Sequence, residues 1–221
     1  MTVSHGLTEF LSYNIRMILC DVGNTSVDLL EQGKRTKIKV EEFDPFILLN
    51  DVYYISVNAA FDEHISEYPN WHNLRDRIAW EKYYTTMGID RIMACEAIEE
   101  GVVVDAGSAI TVDVMSGGAY QGGFISLGLR TAQEAYGRLS PALNVSFNFE
   151  VDLAKMAKNT PDALTVGFLA PLIEKIERLG KPLYLTGGDA RLLSRYFKDA
   201  IVAEDLIFQG MEKLLQKGSK C

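Results

Sequence analysis

Three cysteines, three histidines and two tryptophans are all that 221 residues hold of those types. Cys20, Cys95 and Cys221 share no metal-ligand spacing with one another or with His5, His64 and His72, so a zinc site is not expected. Cys20 closes an apolar run and Cys95 lies in a helical pattern; both read as buried thiols. Long apolar runs are missing as well, and nothing approaches the roughly 20 residues that span a bilayer. The opening MTVSHGLTEFLSYNIR lacks a basic start followed by an apolar core, so it does not read as a secretory signal, and a cytoplasmic location is expected. Positive charge is scarce: 22 Lys and Arg stand against 30 Asp and Glu, for a net charge of −8 and a pI near 5.0. Without a basic stripe the chain is not expected to bind nucleic acid. The same balance would repel an anionic substrate, whose phosphate must then be held by backbone N–H groups, a cation and a few basic side chains.

Two common phosphate-binding designs are also absent. Gly33-Lys34 is followed by Arg35 and Gly180-Lys181 by Pro182, so neither completes a GxxxxGK[ST] loop. No apolar run leads into GxGxxG at a helix start, which removes a Rossmann dinucleotide site.

What the chain does have is an internal echo. Residues 17–28 read MILCDVGNTSVD and residues 101–113 read GVVVDAGSAITVD. Asp21 matches Asp105, Gly23 matches Gly107 and Asn24 matches Ser108, at one constant offset. Each segment reads as a buried strand, a tight glycine turn and a return strand closing on an Asp, here Asp28 and Asp113. Glycine keeps side chains out of the way of a phosphate, and the strand-end Asp points a carboxylate into the same space. Two such units facing each other predict an α/β fold. The expectation is two ribonuclease H-like domains in tandem, spanning 1–100 (with 1–16 as an extension) and 101–221, and a nucleotide cleft between them. Actin, sugar kinases and acetate kinase share that architecture.

The rest alternates strand and helix. VYYISVN (52–58) predicts a strand, 59–87 reads as irregular, and IMACEAIEE predicts a helix ended by Gly101. A glycine-rich turn and strand follow at 117–128, then a helix at 129–139. Thr160 is expected to cap a further helix, with Pro161 in its first turn and Gly180 at its end. PLYLTGGD predicts a strand and turn with Asp189 capping the next helix, and a last helix is expected near 204–217.

DVGNT at 21–25, GIDR at 88–91, DAGSAIT at 105–111, the glycine-rich 122–128, Asn159-Thr160 and TGGDA at 186–190 occur in the order seen in type III pantothenate kinases. The chain resembles that family from about Met17 onward. The resemblance implies ATP-dependent phosphorylation of pantothenate, the first step of coenzyme A synthesis. It also implies a requirement for K⁺ or NH₄⁺, Mg²⁺ with ATP, and a homodimer.

The resemblance assigns roles residue by residue. Asp21, Val22, Gly23, Asn24, Thr25, Ser26, Val27 and Asp28 become the first phosphate-binding motif. The N–H groups of Gly23, Asn24 and Thr25 would cradle phosphate while Asp21 organises hydrated Mg²⁺. Asp90 becomes the proton acceptor for the substrate hydroxyl. From the residues alone the favoured reading is a helix N-cap, which the resemblance reverses. Arg91 would bind the pantothenate carboxylate or phosphate, and Gly88, Ile89, Tyr84 and Thr160 join it as substrate contacts, with Tyr83 competing for the place of Tyr84. Asp105 becomes the monovalent-cation ligand, Ser108 stands where the family has threonine, and Gly187 and Gly188 form a nucleotide-side turn. Asp113 reads either as orienting metal-bound water or as a solvated strand-end carboxylate. Leu127 departs from the family's usual proline. Two alternatives remain: another small-molecule kinase of the same fold, and a non-catalytic transcriptional accessory protein of the same family.

Overall fold

The computed structural model describes residues 17–65, 67–180 and 182–218; the extension 1–16 and Cys221 lie outside them. The chain builds two five-stranded sheets of matching design. In the first, β1 (Ile18–Val22) pairs antiparallel with β2 (Ser26–Glu31) and parallel with β4 (Val52–Ser56). β3 (Lys34–Lys39) and β5 (Trp71–Asn73) complete the order β3-β2-β1-β4-β5. In the second, β6 (Gly101–Ala106) pairs antiparallel with β7 (Ala109–Ser116) and parallel with β9 (Leu183–Thr186). With β8 (Ala119–Leu127) and β10 (Ile201–Val202) the order is β10-β9-β6-β7-β8, the first sheet's order read from the other edge. The echo in sequence is therefore a duplication in topology.

Period-two alternation along β1 and β6 divides each sheet into an outer and an inner face. Ile18, Cys20 and Val22 join Val27, Leu29, Phe43, Phe61 and Trp71 in an outer core that α1 (Ala59–Ile65) covers. On the second sheet Val102, Val104 and Ala106 pack outward. They meet α3 (Leu129–Leu139), α4 (Thr160–Glu177) and α5 (Ala190–Leu193). The inner faces, with Leu19 and Ile55 on one and Val103 and Met115 on the other, share a single core with α2 (Ile89–Glu96) and α6 (Leu206–Gly218). Ile92, Met93, Leu206 and Met211 are fully buried there, each large apolar side chain contributing roughly 1.5–3 kcal/mol by leaving water. α6 lies against α2 so closely that a Cβ on Gly210 would stand 1.8 Å from the Met93 carbonyl oxygen. Lys213 Nζ donates to the Ala97 carbonyl and Lys217 pairs with Glu96 at 2.7 Å, fixing the same contact at the helix ends.

Several local expectations are corrected. α2 ends at Glu96; Gly101 instead opens β6 with φ 141°, where a side chain would strike Pro182 and Tyr184. The 59–87 segment is not wholly irregular, since it holds α1 and β5. α4 is capped by Asn159, whose Oδ1 accepts from the Asp162 N–H, so Thr160 is the first helical residue and not the cap. Asp189 stands at the start of α5 but its side chain makes no capping bond. Cys20 and Cys95 are buried free thiols, as read. No helix among the described residues is long and apolar enough to cross a membrane.

Candidate active site

Asp21 follows Leu19 by two residues and Asp105 follows Val103 by two, so each carboxylate leaves the inner face of its sheet just beyond the apolar row. α2, lodged between the two inner faces, brings Asp90 to the same place from its first turn. Three carboxylates thus share one cleft, where Asp21 feels Asp90 and Asp105, and Asp105 feels Asp90. Burial first, then repulsion from Asp90, Asp28 and Asp105, pushes the Asp21 carboxyl up to about 8. Burial and the charge of Asp90 bring Asp105 up to about 6. Asp90 is also raised by burial, against the pull of the Arg91 N–H that donates to its Oδ1 at 2.8 Å. None of the three is tied in an ion pair among the described residues. Gly88 is the N-cap of α2, which withdraws the reading of Asp90 as the cap. A Cβ on Gly88 would lie 2.5 Å from Asp90 Oδ1, so the glycine is what leaves room for that carboxylate. Ile89 is buried in the shared core.

The two glycine turns are internally bonded. Gly23 N–H donates to the Ser26 carbonyl at 2.9 Å and Gly107 N–H to that of Ala109 at 3.0 Å. The expected three-amide cradle therefore loses Gly23, while the N–H groups of exposed Asn24 and Thr25 meet no acceptor among the described residues. Val22 and Val27 send their side chains into the outer core and offer only backbone to the cleft side. Ser26 shares the inner face with Asp28. Ser108 is exposed at the second turn, and its carbonyl is clamped by the Gly128 N–H and by Thr131 Oγ1 at 2.8 Å. Gly128 is required there, because a Cβ would lie 2.1 Å from the Gly107 oxygen.

The closing aspartates of the echo are not equivalents. Asp28 stands opposite Asp21, but the residue opposite Asp105 is Thr111, and Asp113 faces Val103. Asp113 is 1% exposed and grips Arg91 through Nε–Oδ2 at 2.9 Å and Nη2–Oδ1 at 2.6 Å. It is buried and held by Arg91 and Tyr120, which overturns the reading of a solvated strand-end carboxylate. The fork of Arg91, expected to be open to a carboxylate, is occupied; its remaining Nη1 donates to the Tyr84 hydroxyl. Tyr120 donates to Asp113 at 3.0 Å, and Gly123 exists to admit the pair, since its Cβ would lie 2.4 Å from Asp113 Oδ1. Tyr83 is buried, its hydroxyl on Glu96 at 3.0 Å, whereas Tyr84 is 43% exposed beside Arg91. Tyr84 is thus the accessible tyrosine of the two.

Gly187 has φ 87°, and a Cβ there would stand 2.3 Å from Asp105 Oδ1 and 2.6 Å from the Ala106 oxygen. The close approach is to β6 itself, while Gly188 faces open space. Thr160 is exposed at the start of α4, with its hydroxyl free of the capping role. Leu127 is half-exposed on β8. Sequence reading missed Arg35 and Lys37 of β3, which hold Asp28 by contacts of 3.0 and 2.9 Å. Their strand is polar but for Ile38 and carries no apolar period that would have marked them.

No group of three or more His, Cys, Asp or Glu among the described residues is arranged as a closed metal cage. The cleft nonetheless suits hard cations. Its donors are carboxylates raised by burial first and by neighbouring negative charge second, both of which a cation would offset, and Gly187 keeps the space at Asp105 clear of side-chain carbon.

A duplicated hairpin-led α/β unit with paired strand-end carboxylates and exposed turn amides defines a phosphotransferase of the actin-like class. A solved structure with that fold, an activator of 2-hydroxyisocaproyl-CoA dehydratase from Clostridium difficile with bound ADPNP, superposes with a TM-score of 0.51 at 11% identity, covering 93% of this chain and 98% of that one. The type III pantothenate kinase profile matches residues 57–181. A type III pantothenate kinase of Sulfurimonas denitrificans is 45% identical over 93% of this chain and all of its own length. One from Campylobacter jejuni is 39% identical over 91% of this chain and 97% of its own. A crystal structure from Campylobacter jejuni, described as a Baf family transcriptional activator, superposes with a TM-score of 0.83 at 38% identity over 92% of this chain and 100% of that one. The chain belongs to the type III pantothenate kinase family.

Proposed function

We propose that this protein transfers the γ-phosphate of ATP to the hydroxyl of pantothenate, the first step of coenzyme A synthesis. The observation that carries the reading is the meeting of Asp21, Asp90 and Asp105, unpaired, in the cleft between two like sheets. Phosphoryl transfer asks the protein chiefly to position its reactants and to balance charge. Asp90, its basicity raised by burial, accepts the hydroxyl proton late in the transfer. Asn24 and Thr25 offer amides to the terminal phosphates, with Ser108 approaching from the second sheet. Asp21 would hold Mg²⁺ through water and Asp105 a K⁺ or NH₄⁺ ion; these cations supply the positive charge that a chain of net −8 lacks. Arg91, locked by Asp113, holds Tyr84 at the substrate side and fixes the start of α2 against the second sheet. Thr160 is taken as a pantothenate contact supplied across a homodimer, in line with its exposure and its freedom from capping.

A coupled assay of ADP release decides the matter: release that depends on pantothenate and on K⁺ or NH₄⁺ is expected, and release indifferent to pantothenate would reject the reading. Asp90→Asn is expected to lose about 10²-fold or more in kcat while melting no lower than the parent. The transcriptional-accessory alternative is disfavoured by the presence of all three carboxylates.

A further inference from the structure

The two sheets differ at one place where duplication would make them alike. Asp21, Asp28 and Lys37 are register partners across β1, β2 and β3, so their side chains leave the same inner face in one row. The corresponding row in the second sheet reads Asp105, Thr111 and Ile125. An acid and a base have been placed in the first row where the second has a hydroxyl and an exposed aliphatic chain.

The acid does not face the cleft as a free ligand. Asp28 is 6% exposed, and both its oxygens are taken: Oδ1 by Arg35, Oδ2 by Lys37 at 2.9 Å. Of the basic groups near the three carboxylates, Arg91 is spent on Asp113 and Tyr84. Arg35 is spent on Asp28, the Glu204 carbonyl at 2.8 Å and Asp205. Lys37 has Asp28 as its partner among the described residues, so two of its three ammonium protons remain, and its side chain is 61% exposed. Its charge reaches across the cleft, opposing the rise of both Asp21 and Asp105.

We propose that Lys37, tethered by Asp28, is a phosphate-binding cation of this cleft and neutralises the terminal phosphates of the nucleotide. The assignment rests on the kinase reading above and changes the part played by Asp28 within it, from a direct phosphate contact to the anchor of a lysine. A compact ammonium suits a group that must meet a triphosphate and release a diphosphate, and the buried carboxylate holds it in place before the nucleotide arrives.

The test compares nucleotides by calorimetry on the full-length protein. Lys37→Gln is expected to bind a non-hydrolysable ATP analogue about tenfold or more weakly, with AMP affinity changed less than about twofold and Lys37→Arg restoring most of the loss. KM for ATP rises in parallel while KM for pantothenate stays put. Asp28→Asn is expected to give a smaller loss, and the double variant no larger a loss than Lys37→Gln alone. Unchanged analogue affinity in Lys37→Gln overturns the proposal. So does an equal loss for AMP and the analogue, or a parent protein that binds no analogue. Additive losses in the double variant overturn the tether. Should the parent bind the analogue yet leave pantothenate untouched, the kinase reading fails while the binding comparison still judges Lys37.

Discussion

Asp21 holds its proton at neutral pH in the ligand-free cleft, because burial and three neighbouring carboxylates lift it to about 8. An unfolded chain releases the same proton near pH 4. Between those values the folded state binds more protons than the unfolded, so stability increases as pH falls and drains away as pH climbs toward 8. The ligand-free Tm is therefore expected to rise between pH 9 and pH 6, and Asp21→Asn to flatten the rise. That variant should gain on the order of 1 kcal/mol at pH 8, a few degrees, and lose its turnover. Scanning fluorimetry in buffers free of Mg²⁺ and K⁺ checks both, and a variant melting below the parent at pH 8 would contradict them. Asp21 and Asp105 were legible in sequence because each closes an apolar run and is followed by the same turn. Lys37 was not, since register across strands decides its place, nor was the Arg91–Asp113 pair, which depends on how helix α2 packs against β7; no local spacing encodes either.

The elements that positional chemistry marks were read well, and those lacking it were not. Apolar runs ending in glycine turns gave β1, β2, β6 and β7, and α3 falls on its predicted bounds. β3 is a polar strand and β10 has two residues, so neither shows an alternating pattern. Asn159 and Thr160 are both good caps by type, and the choice between them lies in backbone geometry: Asn159 is extended, and its side chain reaches the Asp162 N–H at 2.9 Å. Asn159→Ala is therefore expected to cost about 1 kcal/mol, and Thr160→Ala close to nothing, in urea denaturation. A reversed order would return the cap to Thr160.

For the molecule as a whole, the constant offset between two motifs foretold the duplicated topology, but not what joins the halves. The joint is α2 against α6, and Gly210 lies on Met93 with no room for a side chain between them. Gly210→Ala has no space for its methyl group and must push the helices apart, at an expected cost of about 3 kcal/mol, or roughly 6–12 °C in Tm. A calorimetric scan showing the parent's Tm would mean that α6 is not held where it is described. Because α6 follows every strand among the described residues, yet Leu206, Phe208, Met211 and Leu214 fill the space beside Leu19 and Ile55, the first of these strands are completed by the last of these helices. A ribosome making this protein therefore releases the opening sheet with its inner side still bare, and the first-made half waits for α6 before its core can close.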